Sequence, residues 1–195
     1  MLAAAILAAG ESRRMGQPKA LLPYRGLTFV EHLLEVTRHT RVGVTRIVLG
    51  EGAKEIQSCL RVDAACIVVN QDWPKGPLSS VQAAIRSFPP TGTDGMILCP
   101  VDHPLVSADL VAQLIEKFDS SGQLIVLPSF NGRRGHPVVF RASLYEELLG
   151  ASAEVGARQV VWAHAKDVVE VPTEEEGVIL NLNDPETLAK ALGPL

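Results

Sequence analysis

The chain has 195 residues, enough to bury a hydrophobic core in one domain spanning 1–195, and its 47% hydrophobic and 21% charged residues are ordinary for a soluble globular protein. A net charge of −4 argues against a broad nucleic-acid-binding face. No apolar stretch approaches the roughly 20 residues of a membrane span, and Met1–Leu7 is too short for a signal sequence, so the cytoplasm is the expected location.

The spacing of apolar residues predicts strands and helices that alternate along the chain. In the first half they are a strand at 2–7, a short extended segment at 21–26, a helix at 28–41, a strand at 46–49, a helix at 53–60, a strand at 65–69, a helix at 80–88 and a strand at 96–99. In the second half they are a helix at 107–119, strands at 123–127 and 138–140, helices at 143–149 and 154–163, strands at 168–171 and 178–180, and a helix at 185–192. The initial β-α-β-α-β order predicts a parallel sheet with right-handed crossovers, hence an α/β fold.

Four of the predicted helices begin at a residue suited to an N-cap. The candidate caps are Thr28, Ser79 or Ser80, Ser107, and Asp184 followed by Pro185.

The loop after the first strand is the most informative stretch. The strand ends at Leu7, and the loop begins with three residues that have short side chains or none: Ala8, Ala9 and Gly10. Three cations follow: Arg13, Arg14 and Lys19. Because a ligand can lie close to such a backbone and its N–H groups can point at phosphate oxygens, the loop is a candidate polyphosphate site. A solvated turn is the alternative, and neither a P-loop nor a G-x-G-x-x-G dinucleotide fingerprint is present.

Asp102 follows the predicted strand at 96–99 and lies between Pro100 and Pro104. It would share the carboxyl edge of the sheet with the first loop, where open α/β sheets bind ligands. A carboxylate there suits Mg²⁺, which prefers oxygen ligands. The alternative is an acid that merely precedes a helix, although Ser107 already supplies that cap. His103 is either a loop histidine or a general base.

A glycine-rich and basic turn, at 131–137, precedes the predicted strand at 138–140. His136 near Arg133 and Arg134 can hold a phosphate group by charge-assisted contacts. The alternative is a hairpin with solvated arginines.

The motif L-A-A-G-x-S-x-R-M-G-x-x-K at 7–19 resembles the signature loop of the MobA-like nucleotidyltransferases. Further segments are similar to motifs of that family: G-x-x-S-S at 76–80, D-x-P-L at 102–105, G-H-P-V-x-F at 135–140, G-A-R at 156–158 and N-x-N at 181–183. The resemblance implies a three-layer, doubly wound, mostly parallel sheet of the Rossmann-like, nucleotide-diphospho-sugar transferase type.

The resemblance also implies roles for individual residues. Its catalytic residues are Arg14, Lys19 and Asp102. Its nucleotide-binding residues are Leu7, Ala8, Ala9, Gly10, Arg14, Lys19, Ser79, Ser80 and Asp102. Its acceptor-binding residues are Gly135, His136 and Arg158, and its Mg²⁺ ligands are Asp102 and Asn183. The chain departs from the family pattern at Pro77, at Ala153-Glu154 in place of G-D, and at Asn181 and Asn183 in place of aspartates.

By this resemblance the protein is a Mg²⁺-dependent enzyme that transfers a nucleoside monophosphate to a phosphorylated acceptor and releases pyrophosphate. L-A-A-G is similar to the cytidylyl-transferring branch, which implies CTP as donor and molybdopterin or its molybdenum form as acceptor. A molybdoenzyme that receives the cofactor is the implied partner, and the expected state is a monomer or weak dimer. The alternatives are a sugar- or polyol-phosphate cytidylyl- or uridylyltransferase and a non-catalytic protein that binds and delivers a nucleotide or cofactor. A dinucleotide oxidoreductase is disfavoured because its glycine pattern is missing.

Overall fold

The computed structural model describes residues 1–193. The strands are β1 Leu2–Ala8, β2 Pro23–Tyr24, β3 Leu27–Thr28, β4 Val42–Leu49, β5 Ile67–Val69, β6 Gly95–Pro100, β7 Ile125–Phe130, β8 Arg133–Arg134, β9 Val138–Arg141 and β10 Val168–Pro172. The helices are α1 Phe29–Val36, α2 Ala53–Cys59, α3 Pro77–Ser87, α4 Ala108–Ser121, α5 Tyr145–Gly150, α6 Arg158–Ala163 and α7 Pro185–Leu192. Within the described range, every helix is too short or too polar to cross a membrane.

One mixed sheet carries the fold, with strand order β10-β7-β9-β6-β1-β4-β5, and β8 pairs with β7 at one end. Strands β6, β1, β4 and β5 pair in parallel, as do β10 and β7, whereas β9 runs antiparallel to both of its neighbours. The predicted parallel β-α-β-α-β start is therefore confirmed. Because β1 is central, the loop that follows it lies between the ends of β4 and β6.

Two hydrophobic cores cover the two faces of the sheet. Leu2 and Ile6 of β1 belong to one core, with α1, α2, α4 and α7, whereas Ala3 and Ala5 belong to the other, with α3, α5 and α6. This alternation is the two-residue period of a strand buried on both faces, which explains why β1 is an uninterrupted apolar run. The predicted three-layer α/β arrangement is confirmed.

Three predicted N-caps are confirmed by hydrogen bonds. Thr28 forms a capping box with Glu31, in which each side chain accepts from the other residue's backbone N–H, at 3.2 and 2.8 Å. Ser107 accepts from Leu110 N–H at 3.1 Å, and Asp184 accepts from Thr187 N–H at 2.9 Å.

The predicted cap of α3 is wrong. That helix begins at Pro77 with Gly76 at the N-cap, so Ser79 and Ser80 lie inside its first turn. A proline is well suited to the first helical position because its φ is already close to helical and its missing N–H would have no partner there.

Two further predicted boundaries differ from the structure. Helix α1 ends at Val36 rather than at residue 41. At this end the hydroxyl of the next residue, Thr37, donates to the Leu33 carbonyl at 2.7 Å. Helix α6 begins at Arg158 rather than residue 154, because Gly156 has a left-handed φ of 77°.

The predicted strand at 178–180 is wrong. Glu176–Val178 is a turn of 3₁₀ helix, and Val178 is fully buried. Its carbonyl accepts a single hydrogen bond, from His136 N–H at 2.9 Å, instead of joining the sheet. The segment is apolar because the core covers it, and burial alone does not distinguish a strand from a turn.

Candidate active site

The loop after β1 is closed on itself by its own side chains. The Ser12 hydroxyl accepts from Lys19 N–H at 3.0 Å, and Ser12 has a left-handed φ of 54°. Met15 is buried in the core and anchors the middle of the loop from below. Arg13 and Arg14 are left exposed, while Lys19 points inward and is only 15% exposed.

The Lys19 ammonium joins three segments that are distant in sequence. It donates to Asn183 Oδ1 at 2.7 Å and lies 3.4 Å from Asp102 Oδ2. The Asp102 carboxylate is 21% exposed. Backbone bonds hold the same segments together, since Val101 N–H donates to the Leu7 carbonyl at 3.0 Å and Leu182 N–H donates to the Asp102 carbonyl at 2.8 Å. The structure thus brings together Lys19, Asp102 and Asn183.

The chemistry of these oxygens fits a magnesium ion that is shared with a substrate. Asp102 and Asn183 offer one carboxylate and one amide oxygen, both hard ligands, and both already face a positive charge on Lys19. Residues 1–193 contain no group of three or more His, Cys, Asp or Glu side chains arranged to hold a metal ion. Mg²⁺ commonly binds through one or two protein oxygens and completes its shell with waters and substrate phosphates, so this sparse donor set is compatible with it.

A cavity of about 1070 Å³ extends from this cluster along the carboxyl edge of the sheet. Its lining includes residues of the first loop and its neighbours: Leu7, Ala8, Ala9, Gly10, Lys19, Ser80 and Asp102. The lining also includes Gly135, His136 and Arg158. Arg14, Ser79 and Asn183 are not among the lining residues. The volume exceeds what one small ligand needs, so a donor and an acceptor can lie in it together.

A buried asparagine that the sequence analysis did not single out organises the segment between β5 and α3. Asn70 Nδ2 donates to Ser79 Oγ at 2.9 Å and to Ser80 Oγ at 3.1 Å, and its Oδ1 accepts from Asp72 N–H at 2.9 Å. The Ser79 hydroxyl also donates to the Gly76 carbonyl at 2.8 Å. Ser79 is therefore occupied within the protein, whereas Ser80 faces the cavity. The available signal was an asparagine at a strand end followed by two serines.

Two imidazoles lie side by side, and one of them, His136, lines the cavity. The rings of His103 and His136 are 4.8 Å apart between centroids. Burial, together with the neighbouring His103, lowers the pKa of His136 to about 4. Burial also lowers the pKa of His103, against the opposing effect of Asp102. Both rings are therefore neutral near pH 7, and charged contacts beside His136 depend on arginines.

Those arginines differ in how far they are already paired. Arg134 forms an ion pair with Glu170 at 2.7 Å, and Arg133 is exposed on the adjoining turn. Arg158 donates to the Val155 carbonyl at 2.8 Å and places its guanidinium 5.6 Å from the centre of the Trp162 ring.

Gly135 explains why the histidine is held at this point. A Cβ on Gly135 would overlap the backbone carbonyl and the side chain of Val178. The absent side chain lets the turn approach the 3₁₀ segment closely enough for the His136 N–H to reach the Val178 carbonyl.

A small-residue loop and an acid at the carboxyl edge of a mostly parallel sheet are typical of α/β proteins that bind phosphorylated ligands. The family model of the MobA-like NTP transferase domain matches residues 4–168. The chain belongs to this family of nucleotidyltransferases.

The relatives have several names. A molybdenum cofactor guanylyltransferase of Cereibacter sphaeroides is 31% identical over 195 residues, covering 95% of this chain and 93% of the relative. A protein named nicotine blue oxidoreductase, from Paenarthrobacter nicotinovorans, is 33% identical over 183 residues, covering 88% of each. Among solved structures, Rv0371c of Mycobacterium tuberculosis H37Rv matches with a TM-score of 0.83 and 25% identity over 99% of this chain and 97% of that one. Its complex with manganese matches with a TM-score of 0.74 and 24% identity, covering 100% and 99%. The fold is that of the nucleotide-diphospho-sugar transferases, as the sequence predicted.

Proposed function

We propose that the protein transfers a nucleoside monophosphate from an NTP to a phosphorylated acceptor of the molybdopterin type and releases pyrophosphate. The observation that carries the proposal is the meeting of Lys19, Asp102 and Asn183, the first two of which line a cavity large enough for two ligands. Family membership supports the same reaction class.

In this reaction an acceptor phosphate oxygen attacks the α-phosphorus of the NTP, a new P–O bond forms, and the bond to pyrophosphate breaks. The protein contributes orientation and charge, because phosphoryl transfer needs no covalent protein intermediate. Backbone N–H groups of 8–10 face the phosphates, and Lys19 with Arg14 neutralises the triphosphate and the charge that develops on it. The acceptor lies against Gly135, His136 and Arg158.

Magnesium is the proposed metal, and Asp102 and Asn183 would hold it. When bound, it would supply positive charge that offsets the negative charge of the substrate phosphates. The manganese complex of the structural neighbour supports a divalent cation in this fold. Lys19 must then leave the two oxygens that it contacts in the structure and turn towards the phosphates.

The donor base is the less constrained part of the proposal. The L-A-A-G loop favours CTP, whereas the Cereibacter sphaeroides relative is named a guanylyltransferase. CTP is proposed as the donor, with GTP as the direct competitor in the assay. A molybdoenzyme that accepts the finished cofactor is the proposed partner.

A second candidate is a redox reaction, because a relative of 33% identity is named nicotine blue oxidoreductase. The loop after β1 lacks the glycine pattern of a dinucleotide site. Stabilisation of the protein by NAD(P) but not by any NTP would favour this second candidate.

The test is pyrophosphate release from CTP, GTP, UTP and ATP with molybdopterin and Mg²⁺, for the wild type, Lys19→Ala and Asp102→Ala. Both variants should lose orders of magnitude in turnover and remain folded, because both residues lie at loop ends rather than in the core. Lys190→Ala and Asp109→Ala are matched controls, since both remove one charge from a helix away from the cavity.

Near-normal turnover in Lys19→Ala or Asp102→Ala would contradict the residue assignment. Thermal stabilisation by an NTP without pyrophosphate release from any acceptor would favour the non-catalytic delivery protein over the enzyme.

A further inference from the structure

The side chain of Trp73 lies close to the first loop, since both pack against Gly50. It belongs to a 3₁₀ turn, Trp73–Lys75, between β5 and α3, and it is half-buried. Trp73 lines the same cavity as Ala9 and Gly10 of the first loop. Two other aromatic rings line this cavity within residues 1–193. Phe140 is only 1% exposed, and His136 belongs to the proposed acceptor site.

A glycine at the end of β4 allows this placement. A Cβ on Gly50 would lie 2.7 Å from both Cβ and Cγ of Trp73 and 2.5 Å from the Ala9 carbonyl oxygen. These distances are shorter than real Cβ contacts, so any side chain at this position would push the indole away from the first loop. Because Gly50 has no side chain, Trp73 and the first loop can lie directly beside each other.

The turn that carries Trp73 is also held rigidly. Its start is fixed by Asn70, which accepts from Asp72 N–H, and its end by the bond from Gly76 N–H to the Trp73 carbonyl at 3.0 Å. Asn70 also donates a hydrogen bond to the Ser80 hydroxyl, which ties the turn to α3. A ring held in this way loses little entropy when a flat ligand packs against it.

We propose that the indole of Trp73 is the surface on which the base of the NTP stacks, with the triphosphate running from there to Lys19. This inference rests on the proposed nucleotidyl transfer and assigns the base end of its donor site. Aromatic stacking tolerates every base, since each has a π-face. Trp73 thus provides affinity for CTP and GTP alike, and discrimination falls to hydrogen bonds with the surrounding loops.

The experiment measures dissociation constants of CTP and GTP with Mg²⁺ by calorimetry. Trp73→Leu, which fills space without a π-face, should weaken both roughly 5- to 150-fold. Trp73→Phe should retain most of the affinity. Trp162→Leu is the matched control, because the other tryptophan of the chain is 63% exposed and does not line the cavity, and it should bind as the wild type does.

Fluorescence provides an independent measurement. In Trp162→Phe, Trp73 is the sole tryptophan, and saturating CTP should change its emission. Wild-type affinity in Trp73→Leu, or an unchanged Trp73 emission at saturation in Trp162→Phe, would overturn the inference and leave nucleotidyl transfer standing. Failure of the wild type to bind any NTP would overturn both.

Discussion

Replacing Lys19 with methionine should increase the affinity of the free protein for a divalent cation while decreasing its affinity for an NTP. The ammonium lies 3.4 Å from Asp102 Oδ2, and a metal bound to that oxygen at about 2.1 Å would lie within about 5.5 Å of it. At an effective dielectric constant of about 20, a double and a single positive charge at this separation repel by about 6–7 kcal/mol.

The lysine avoids most of this repulsion by withdrawing, which costs its hydrogen bond to Asn183 at 2.7 Å. A hydrogen bond that involves a charged group contributes about 1.5–3 kcal/mol, so Lys19→Met should bind Mn²⁺ roughly 10- to 150-fold more tightly than the wild type. Electron paramagnetic resonance of free Mn²⁺, without nucleotide, measures this directly. Lys190→Met removes an equal charge from the exposed side of α7 and should bind as the wild type does. Equal or weaker Mn²⁺ binding in Lys19→Met would refute the reasoning.

Two further substitutions test the frame of the site. Asn70→Ala removes three hydrogen bonds from a buried position, at about 0.5–1.5 kcal/mol each, and should lower the melting temperature by about 5–15 °C. Calorimetry checks this against the exposed neighbour Gln71→Ala, and equal melting temperatures would disprove it. The free energy of unfolding should fall less between pH 6.5 and 4 in His136→Asn than in the wild type. The unfolded chain protonates this histidine below about pH 6.5, whereas the folded protein does so only below about pH 4, a difference worth about 3 kcal/mol. Urea unfolding at several pH values, with His39→Asn as control, measures it, and an unchanged pH dependence would speak against a buried neutral ring.

The parts of the fold that could be predicted from the sequence are those decided by local chemistry. The apolar run of β1 and the caps Thr28, Ser107 and Asp184 depend on residues within a few positions of one another. The proximity of the first loop to Asp102 also followed, because parallel strands bring their carboxyl ends to the same edge of a sheet.

The parts that could not be predicted depend on contacts between distant segments. The bond from Lys19 to Asn183 spans 164 positions, so sequence spacing carries no information about it. The same holds for Gly50, whose missing side chain matters because Ala9 and Trp73 both pack against it. The error at 178–180 has a related origin, since Val178 is buried by packing against the core and the distant turn at Gly135 without pairing in the sheet.

The segment that closes the site lies outside the sheet. Residues 4–168 match the family model, yet Asn183 and the Leu182 N–H that braces Asp102 come after that range. They also come after β10, the last strand of the sheet, which ends at Pro172. The strands can therefore pair without this segment, whereas Lys19 and Asp102 gain their third partner only when it docks at the edge of the sheet.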